Sequence, residues 1–208
     1  MNPISVTRVI TLVITFFFGL TAKSQTFGIN ASAVWLTDCN QSNYFNTSGS
    51  GPGLIGPGGN VFNNANFGAH TQNSGTLILR GAQVKTFKTP GSSNVCSVRM
   101  YYRIYLQSSA PGSFTAVDLP LLDNCNAGTG QFASGGSCAD GDQKWDRVTP
   151  DGITSPYAPV DLTAFTPGNY VLEVYYEATG SSTSLSKAFA SCSLITINGE
   201  PSFVQIDL

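Results

Sequence analysis

Charged side chains are scarce in this sequence. Asp, Glu, Lys and Arg together make up 11% of its 208 residues, and the formal net charge is −2. Nucleic acids and anionic membrane surfaces are recognised through clusters of basic residues, and the sequence contains no such cluster. The composition therefore argues against both as partners.

Histidine occurs only once, as His70, and no two cysteines have the C-x-x-C spacing. Structural zinc sites usually draw four ligands from closely spaced Cys and His pairs, so a Cys/His zinc site has little support. A Ser–His–Asp triad would need His70, which lies in an Asn/Gly-rich segment, and the chain has no G-x-S-x-G motif. We interpret His70 as a surface or turn residue.

Helical periodicity is missing as well. No segment shows an amphipathic pattern of three helical turns. The chain contains 22 Gly and 11 Pro, most of which lie between the strand-like runs as turn residues. Strand patterns take its place. Residues 76–88 are β-branched and apolar, with Gly81 at a position for a bulge, and shorter strand-like runs occur at 25–36, 193–197 and 202–208.

The two clearest strands are residues 94–106 and 169–180, in which side chains alternate between two faces. One face of the first strand carries Arg99 and Arg103, and one face of the second carries Glu173 and Glu177. If the strands are antiparallel neighbours, these charges match, at about 0.2–1 kcal/mol per pair. The alternative is that both sets lie on solvated outer faces.

These patterns predict an all-β fold, an antiparallel β-sandwich with Greek-key or jelly-roll-like connections. The Asn/Gly-rich residues 37–75 are predicted to form a long loop without regular elements. A few apolar residues of this loop are expected to dock on the core: Leu54, Ile55, Val61, Phe62 and Phe67.

The N-terminus has the features of a secretory signal peptide. The uncharged residues 9–20 follow a positively charged start and are fewer than the roughly 20 residues that span a bilayer. Ala22 and Ser24 fit a cleavage site, so we expect removal of residues 1–24 and a single β-sandwich domain over 25–208. The protein would be secreted or at the cell surface, or periplasmic if it does not cross the outer membrane.

All five cysteines follow the predicted signal peptide, and an oxidising compartment favours their pairing. Cys125 and Cys138 enclose a glycine-rich segment that a bridge would order, which would contribute roughly 3 kcal/mol. A second bridge is predicted between Cys96 and Cys192. Cys39 would then be left over, and because its acidic neighbour disfavours a thiolate we expect it to be inert or intermolecular.

Residues 138–147, CADGDQKWDR, concentrate charge in a chain that has little. Three aspartates there could offer oxygen ligands to calcium: Asp140, Asp142 and Asp146. The alternative is structural, with Trp145 packed under or beside the bridged loop and with Lys144 and Arg147 paired to nearby aspartates. The structural interpretation accounts for more of these residues.

Aromatic residues on polar strand faces point to carbohydrate binding, because rings stack on sugars. The candidates are Trp145, Tyr101, Tyr105 and Tyr175. The alternative is that tyrosine is simply favoured in half-exposed strands. For a glycosidase, Glu173 and Glu177 are one candidate pair, but four strand residues span roughly 13 Å, which exceeds the separation of about 5–10 Å that this chemistry needs. Asp118 and Asp123 flank a turn and are interpreted as exposed loop acids.

Six segments occur in order along the chain: FGINASAVWL, IGPGGNVFNNANFG, SGTLILRGAQVKTFK, NVCSVRMYYRIY, GDQKW and PGNYVLEVYYEATG. Together they resemble a β-rich module of secreted and surface Bacteroidota proteins associated with type IX secretion and gliding. That module commonly lies directly after the signal peptide of large proteins, and the resemblance covers residues 27–208. It implies export and a β-rich architecture, but no chemistry.

From the residues and the resemblance together, we expect an exported, non-enzymatic β-sandwich that acts as a cell-surface or extracellular interaction or adhesion module. Its partner would be an envelope or extracellular protein or a glycan. One alternative is a lectin-like carbohydrate-binding module, and a less favoured one is a polysaccharide hydrolase. No cofactor is expected other than calcium in residues 138–147.

Overall fold

The computed structural model describes residues 26–48, 60–148, 159–181, 195–198 and 202–207. Within these ranges the only helical segment is a single 3₁₀ turn, Leu162–Ala164. All other regular elements are strands: β1 (Phe27–Asp38), β2 (Gln41–Ser48), β3 (Asn60–Val61), β4 (Asn66–Ala69), β5 (Leu77–Lys88), β6 (Asn94–Leu106), β7 (Thr115–Leu119), β8 (Leu121–Asn124), β9 (Gln143–Val148), β10 (Val160–Asp161), β11 (Asn169–Ser181), β12 (Ile195–Asn198) and β13 (Ser202–Asp207).

The strands form two sheets that pack face to face as a β-sandwich. The first sheet has the order β3-β2-β1-β5-β9-β8, and β10 also pairs with β5. The second sheet has the order β4-β13-β11-β6-β7, and β12 also pairs with β11. All pairs are antiparallel except β2–β3 and β4–β13, which are parallel. The predicted all-β sandwich is confirmed, although each sheet contains one parallel pair.

The core lies between the inner faces of the two sheets. Because side chains alternate along a strand, every second residue of the long strands points inward. Fully buried examples are Val34 and Leu36 of β1, Leu79 and Val84 of β5, Met100 of β6, and Leu172 and Val174 of β11. This shared apolar layer fixes which face of each sheet is left outside.

Gly81 interrupts β5 at the predicted bulge. In the pairing with β1, Gly81 lies opposite Trp35 whereas Leu79 lies opposite Leu36, so one residue of β5 is extra. Gly81 has a φ of 145°, which a side chain would disfavour. The bulge lets Leu79 and Ala82 both face the core although they are three residues apart.

The prediction of a loop without regular elements over residues 37–75 was wrong. All of β2, β3 and β4 lies in this range. A strand as polar as β2 forms because a two-residue turn, with φ values of 46° at Cys39 and 70° at Asn40, folds it back against β1. Phe62 is buried and Phe67 packs against the core as expected, whereas Val61 is 65% exposed.

Some sequence predictions fall outside the described residues. They concern the signal peptide at 1–24, the docking residues Leu54 and Ile55, and Cys192 as the partner of Cys96. Cys96 itself lies on β6 and is disulfide-bonded.

Candidate functional site

The outer face of the second sheet carries a compact group of aromatic and charged side chains, which we call the tyrosine face. It consists of Arg99, Tyr101, Arg103 and Tyr105 of β6, Phe114 before β7, Ala116 and Asp118 of β7, and Glu173, Tyr175 and Glu177 of β11. Alternation places these side chains opposite the core-facing residues of the same strands. Their aromatic and acidic members on β6 and β11 are all partly exposed.

The predicted charge matching across β6 and β11 is confirmed for one pair. The register places Arg103 opposite Glu173 and Arg99 opposite Glu177. Arg103 donates from Nε and Nη2 to Oε2 of Glu173, each at 2.5 Å. Arg99 instead pairs with Asp118 on the other neighbouring strand, with Nε 2.6 Å from Oδ1.

Tyrosine hydroxyl groups complete the network. The hydroxyl of Tyr105 donates to Oε1 of Glu173 at 2.8 Å, and that of Tyr101 donates to Oε1 of Glu177 at 3.1 Å. Burial is the main cause that raises the pKa of Tyr105, and its hydrogen bond to Glu173 adds to the effect. Tyr105 is therefore a neutral donor at physiological pH, and both glutamates have a partner.

Aromatic rings form the centre of the tyrosine face. The rings of Tyr101 and Tyr175 are parallel within 1°, with centroids 4.6 Å apart, and Phe114 meets Tyr175 edge-on at 4.8 Å. The guanidinium group of Arg103 lies 4.2 Å from the Phe114 ring centroid, a cation–π contact. These contacts fix the side chains before any partner binds.

The geometry gives little support to hydrolysis by Glu173 and Glu177. Glu173 is held by Arg103 and Tyr105, and Glu177 accepts a hydrogen bond from Tyr101. The two acids point outward from one strand of a sheet face, four residues apart, instead of facing each other across a cleft.

The structure contains the predicted disulfide between Cys125 and Cys138, with a Cα–Cα distance of 5.8 Å. The bridged loop folds back on the outer face of the first sheet. Asp123 accepts from the backbone N–H and the hydroxyl of Ser134, at 2.8 and 3.1 Å. The buried ring of Phe132 points from the loop to the sheet, 4.6 Å from the ammonium nitrogen of Lys144.

The predicted position of Trp145 under or beside this loop was wrong. Trp145 is 3% exposed and lies in the core between the sheets, where its indole N–H donates to the Thr86 hydroxyl at 2.9 Å. The alternation of β9 instead turns Lys144 towards the loop, where its ammonium group donates to the carbonyl of Gly135. Because Trp145 is enclosed, it cannot stack on a sugar.

Lys144 does not form the predicted close ion pair with an aspartate. Burial lowers the pKa of its ammonium group, and Asp123 and Asp146 oppose this effect only in part. The side chain of Arg147, which was predicted to pair in the same way, lies outside the described part of the chain.

The calcium prediction finds no support in the positions of its three aspartates. Asp140 is exposed, and Asp142 accepts from the Ala139 backbone N–H and lies 3.7 Å from the Lys85 ammonium nitrogen. Asp146 is buried and accepts a hydrogen bond from the side-chain amide of Gln83, away from the contacts of the other two aspartates. Among the described residues, three or more metal-ligating side chains converge only at Asp38, Cys39 and His70.

Asp140 instead lines a polar cavity of about 300 Å³ at one end of the sandwich. Its other lining side chains include Lys88, whose ammonium group donates to Oδ1 of Asn94 at 3.0 Å. Partial burial lowers the pKa of Lys88, and the charge of Asp140 opposes this effect.

His70 is buried, contrary to the expected surface position, and its side chain is 2% exposed. Nδ1 lies 2.9 Å from the Thr76 hydroxyl, and Nε2 lies 3.1 Å from the Phe67 carbonyl. Cys39 is exposed and has no disulfide partner, and its hydrogen bond with Asp38 is the main cause that raises the thiol pKa. That direction agrees with an unreactive thiol.

The chain matches no protein-family model, no curated protein and no solved structure. In the described part of the chain, no helix has the length and apolar character needed to cross a membrane.

Proposed function

We propose that this protein is an exported, non-enzymatic interaction module that binds a protein partner through the tyrosine face. The observation that carries the proposal is the stack of Tyr101 on Tyr175, flanked by Phe114 and Arg103 and partly open to solvent. Tyrosine and arginine are enriched at the energetic centres of protein interfaces. Because these side chains already hold one another, little rotamer entropy remains to be lost on binding.

The charges of the tyrosine face support a protein partner. Arg103 is neutralised by Glu173 and Arg99 by Asp118, so the face has no large field of one sign. A mixed polar and aromatic surface of this kind fits the composition of protein–protein interfaces, which combine an aromatic centre with a polar rim.

Export and kinship with the Bacteroidota surface module are part of the proposal and rest on the sequence. The N-terminal apolar run and the ordered segments that resemble the module support them. The Cys125–Cys138 disulfide adds physical support, because disulfides persist mainly in oxidising compartments.

A carbohydrate ligand is the second candidate, because Tyr101, Tyr105 and Tyr175 share the tyrosine face. The ring contact between Tyr101 and Tyr175 already covers one face of each ring, and two tyrosine hydroxyls are used by glutamates. A sugar would therefore find less free ring surface than the sequence alone indicated. This geometry favours the protein partner.

Site-specific photo-crosslinking in the producing cells tests the proposal. Ala116 is exposed and lies opposite Tyr101 on β7, so a photo-reactive amino acid at this position reports on the tyrosine face without removing any of its contacts. Ala127, exposed in the disulfide-bridged loop, is the matched control. We expect a discrete protein adduct from position 116 and none from 127.

Two outcomes would overturn the proposal. One is the absence of an adduct at position 116. The other is binding of the wild-type protein to a glycan array that is lost in Tyr175→Ala, which would establish the carbohydrate function in its place.

A further inference from the structure

Asp38 and the adjacent Cys39 meet His70, which comes from a separate part of the chain, at one end of the first sheet. Asp38 ends β1, and Cys39 begins the two-residue turn to β2. The backbone N–H of Cys39 donates to the carbonyl of Thr76 at 2.8 Å, and the Thr76 hydroxyl lies 2.9 Å from Nδ1 of His70. The segment that carries His70 is thereby fastened against the turn.

The three side chains present one nitrogen, one oxygen and one sulfur atom to a common point. Nε2 of His70 lies 3.9 Å from Oδ1 of Asp38, and the three ligand atoms lie within 4.8 Å of one another. Zinc bonds of about 2.0–2.3 Å in a tetrahedron place neighbouring ligands roughly 3.3–3.7 Å apart. Since Cys39 is exposed and Asp38 is partly exposed, small rotations of these two side chains can supply the remaining contraction.

We propose that Asp38, Cys39 and His70 bind a Zn²⁺ ion, with the fourth position taken by water or by the Phe67 carbonyl oxygen. Imidazole nitrogen, thiolate sulfur and carboxylate oxygen are all zinc ligands, whereas calcium takes only oxygen. The His70 side chain is 2% exposed and that of Asp38 is 35% exposed. The site is therefore closed on the histidine side and open on the cysteine side.

The hydrogen bonds of His70 show how the ring can accept a metal. Without the ion, Nε2–H donates to the Phe67 carbonyl and Nδ1 accepts from the Thr76 hydroxyl. With the ion, the proton moves to Nδ1, which donates to Thr76, and the Thr76 hydroxyl donates to Oγ of Ser74, 2.7 Å away. A metal-bound histidine usually has its second nitrogen held in this way. The Phe67 carbonyl oxygen, 3.1 Å from Nε2, then loses its donor and is close enough to take the fourth position on the ion.

Zinc binding to the full-length protein is measured by titration calorimetry with ZnCl₂, and Co²⁺ serves as the spectroscopic probe. We expect Zn²⁺ to bind and Ca²⁺ not to bind, and we expect Co²⁺ to give a thiolate charge-transfer band. Cys39→Ser should abolish that band and weaken zinc binding by at least about tenfold. Asp140→Asn, which removes a carboxylate from the cavity at the end of the sandwich, is the matched control and should bind Zn²⁺ as the wild type does.

Protection of the thiol gives a second readout that does not depend on a variant. Zn²⁺ should slow alkylation of Cys39, and Ca²⁺ should leave the rate unchanged. Thr76→Val keeps all three ligands but removes the partner of Nδ1, so it should weaken zinc binding about 10–100-fold. The proposal is overturned if Zn²⁺ does not protect Cys39, or if Cys39→Ser binds Zn²⁺ as tightly as the wild type.

Discussion

Arg103 of β6 and Glu173 of β11 lie directly opposite each other and form an ion pair of 2.5 Å between Nη2 and Oε2. Their side chains are 22% and 16% exposed, so solvent screens this pair much less than an exposed one. Tyr105 also donates to the same carboxylate, and Arg103 lies over the Phe114 ring. The pair therefore joins the charged and aromatic parts of the tyrosine face.

A double-mutant cycle with Arg103→Met and Glu173→Gln should reveal this coupling. Because the pair is mostly buried and shares its partners, we expect a coupling free energy of about 1–2 kcal/mol in urea denaturation. The exposed pair Arg99–Asp118 is the control, with an expected coupling of about 0.2–1 kcal/mol. Equal couplings for the two pairs would contradict the account of the tyrosine face.

Loss of the Cys125–Cys138 disulfide should destabilise the protein by roughly 3 kcal/mol, because the unfolded chain regains the entropy of an open loop. The variant Cys125→Ala/Cys138→Ala leaves the other cysteines untouched, and urea denaturation measures its free energy of unfolding. Peptide mapping of the non-reduced wild type should show the two cysteines joined. Finding either of them in a different bridge would refute the pairing.

The stability contributed at Lys144 should rise with pH. Burial lowers the pKa of Lys144 in the folded protein, whereas the value is about 10.4 in the unfolded chain. Between these two values the unfolded chain binds more protons, so the free energy of unfolding increases as the pH rises through this range. The negative charges of Asp123 and Asp146 reduce this lowering of the Lys144 pKa, and the positive charge of Lys85 adds to it.

Comparison with Lys144→Met isolates this effect from the pH dependence that the rest of the protein contributes. The free energy of unfolding of the wild type should increase relative to that of the variant as the pH rises towards about 10.4, the value of the unfolded chain. If the difference in the free energy of unfolding between the wild type and the variant stays constant or decreases as the pH rises, burial does not lower the pKa of Lys144.

Gly141→Ala and Gly135→Ala separate backbone strain from a steric clash. Both glycines have positive φ, 89° and 93°, so each substitution should cost about 1 kcal/mol through strain. A Cβ at Gly141 would also lie 2.1 Å from the Lys88 carbonyl oxygen, whereas Gly135 has no atom within 4 Å of that position. Thermal and urea denaturation should therefore show a clearly larger loss for Gly141→Ala.

Much of the second sheet could be predicted from the sequence. Strict alternation over β6 and β11 identified both strands and both faces, because one face had to meet the core. It also offered charge matching between the two strands as one of two interpretations, and the register bears this out for Arg103 and Glu173. The partner of Arg99 was not predictable, since that required knowing that β7 lies on the other side of β6.

The first sheet was harder to predict for physical reasons. A strand as polar as β2 has no hydrophobic pattern, and it forms because the turn at Cys39 and Asn40 pairs it with β1. Whether Trp145 or Lys144 faces the core depends on the register of β9 against β5, which local sequence does not determine. The meeting of Cys39 with His70 depends on long-range packing and has no local signal.

Affinity for the partner captured at Ala116 tests the central claim most directly. Tyr175→Ala removes the central ring of the tyrosine face. Tyr44→Ala removes a tyrosine of the first sheet that packs against Trp35 and donates a hydrogen bond to Asp146. The account predicts that Tyr175→Ala weakens binding by about tenfold or more while Tyr44→Ala leaves it unchanged. Equal affinities for the wild type and a folded Tyr175→Ala would contradict it.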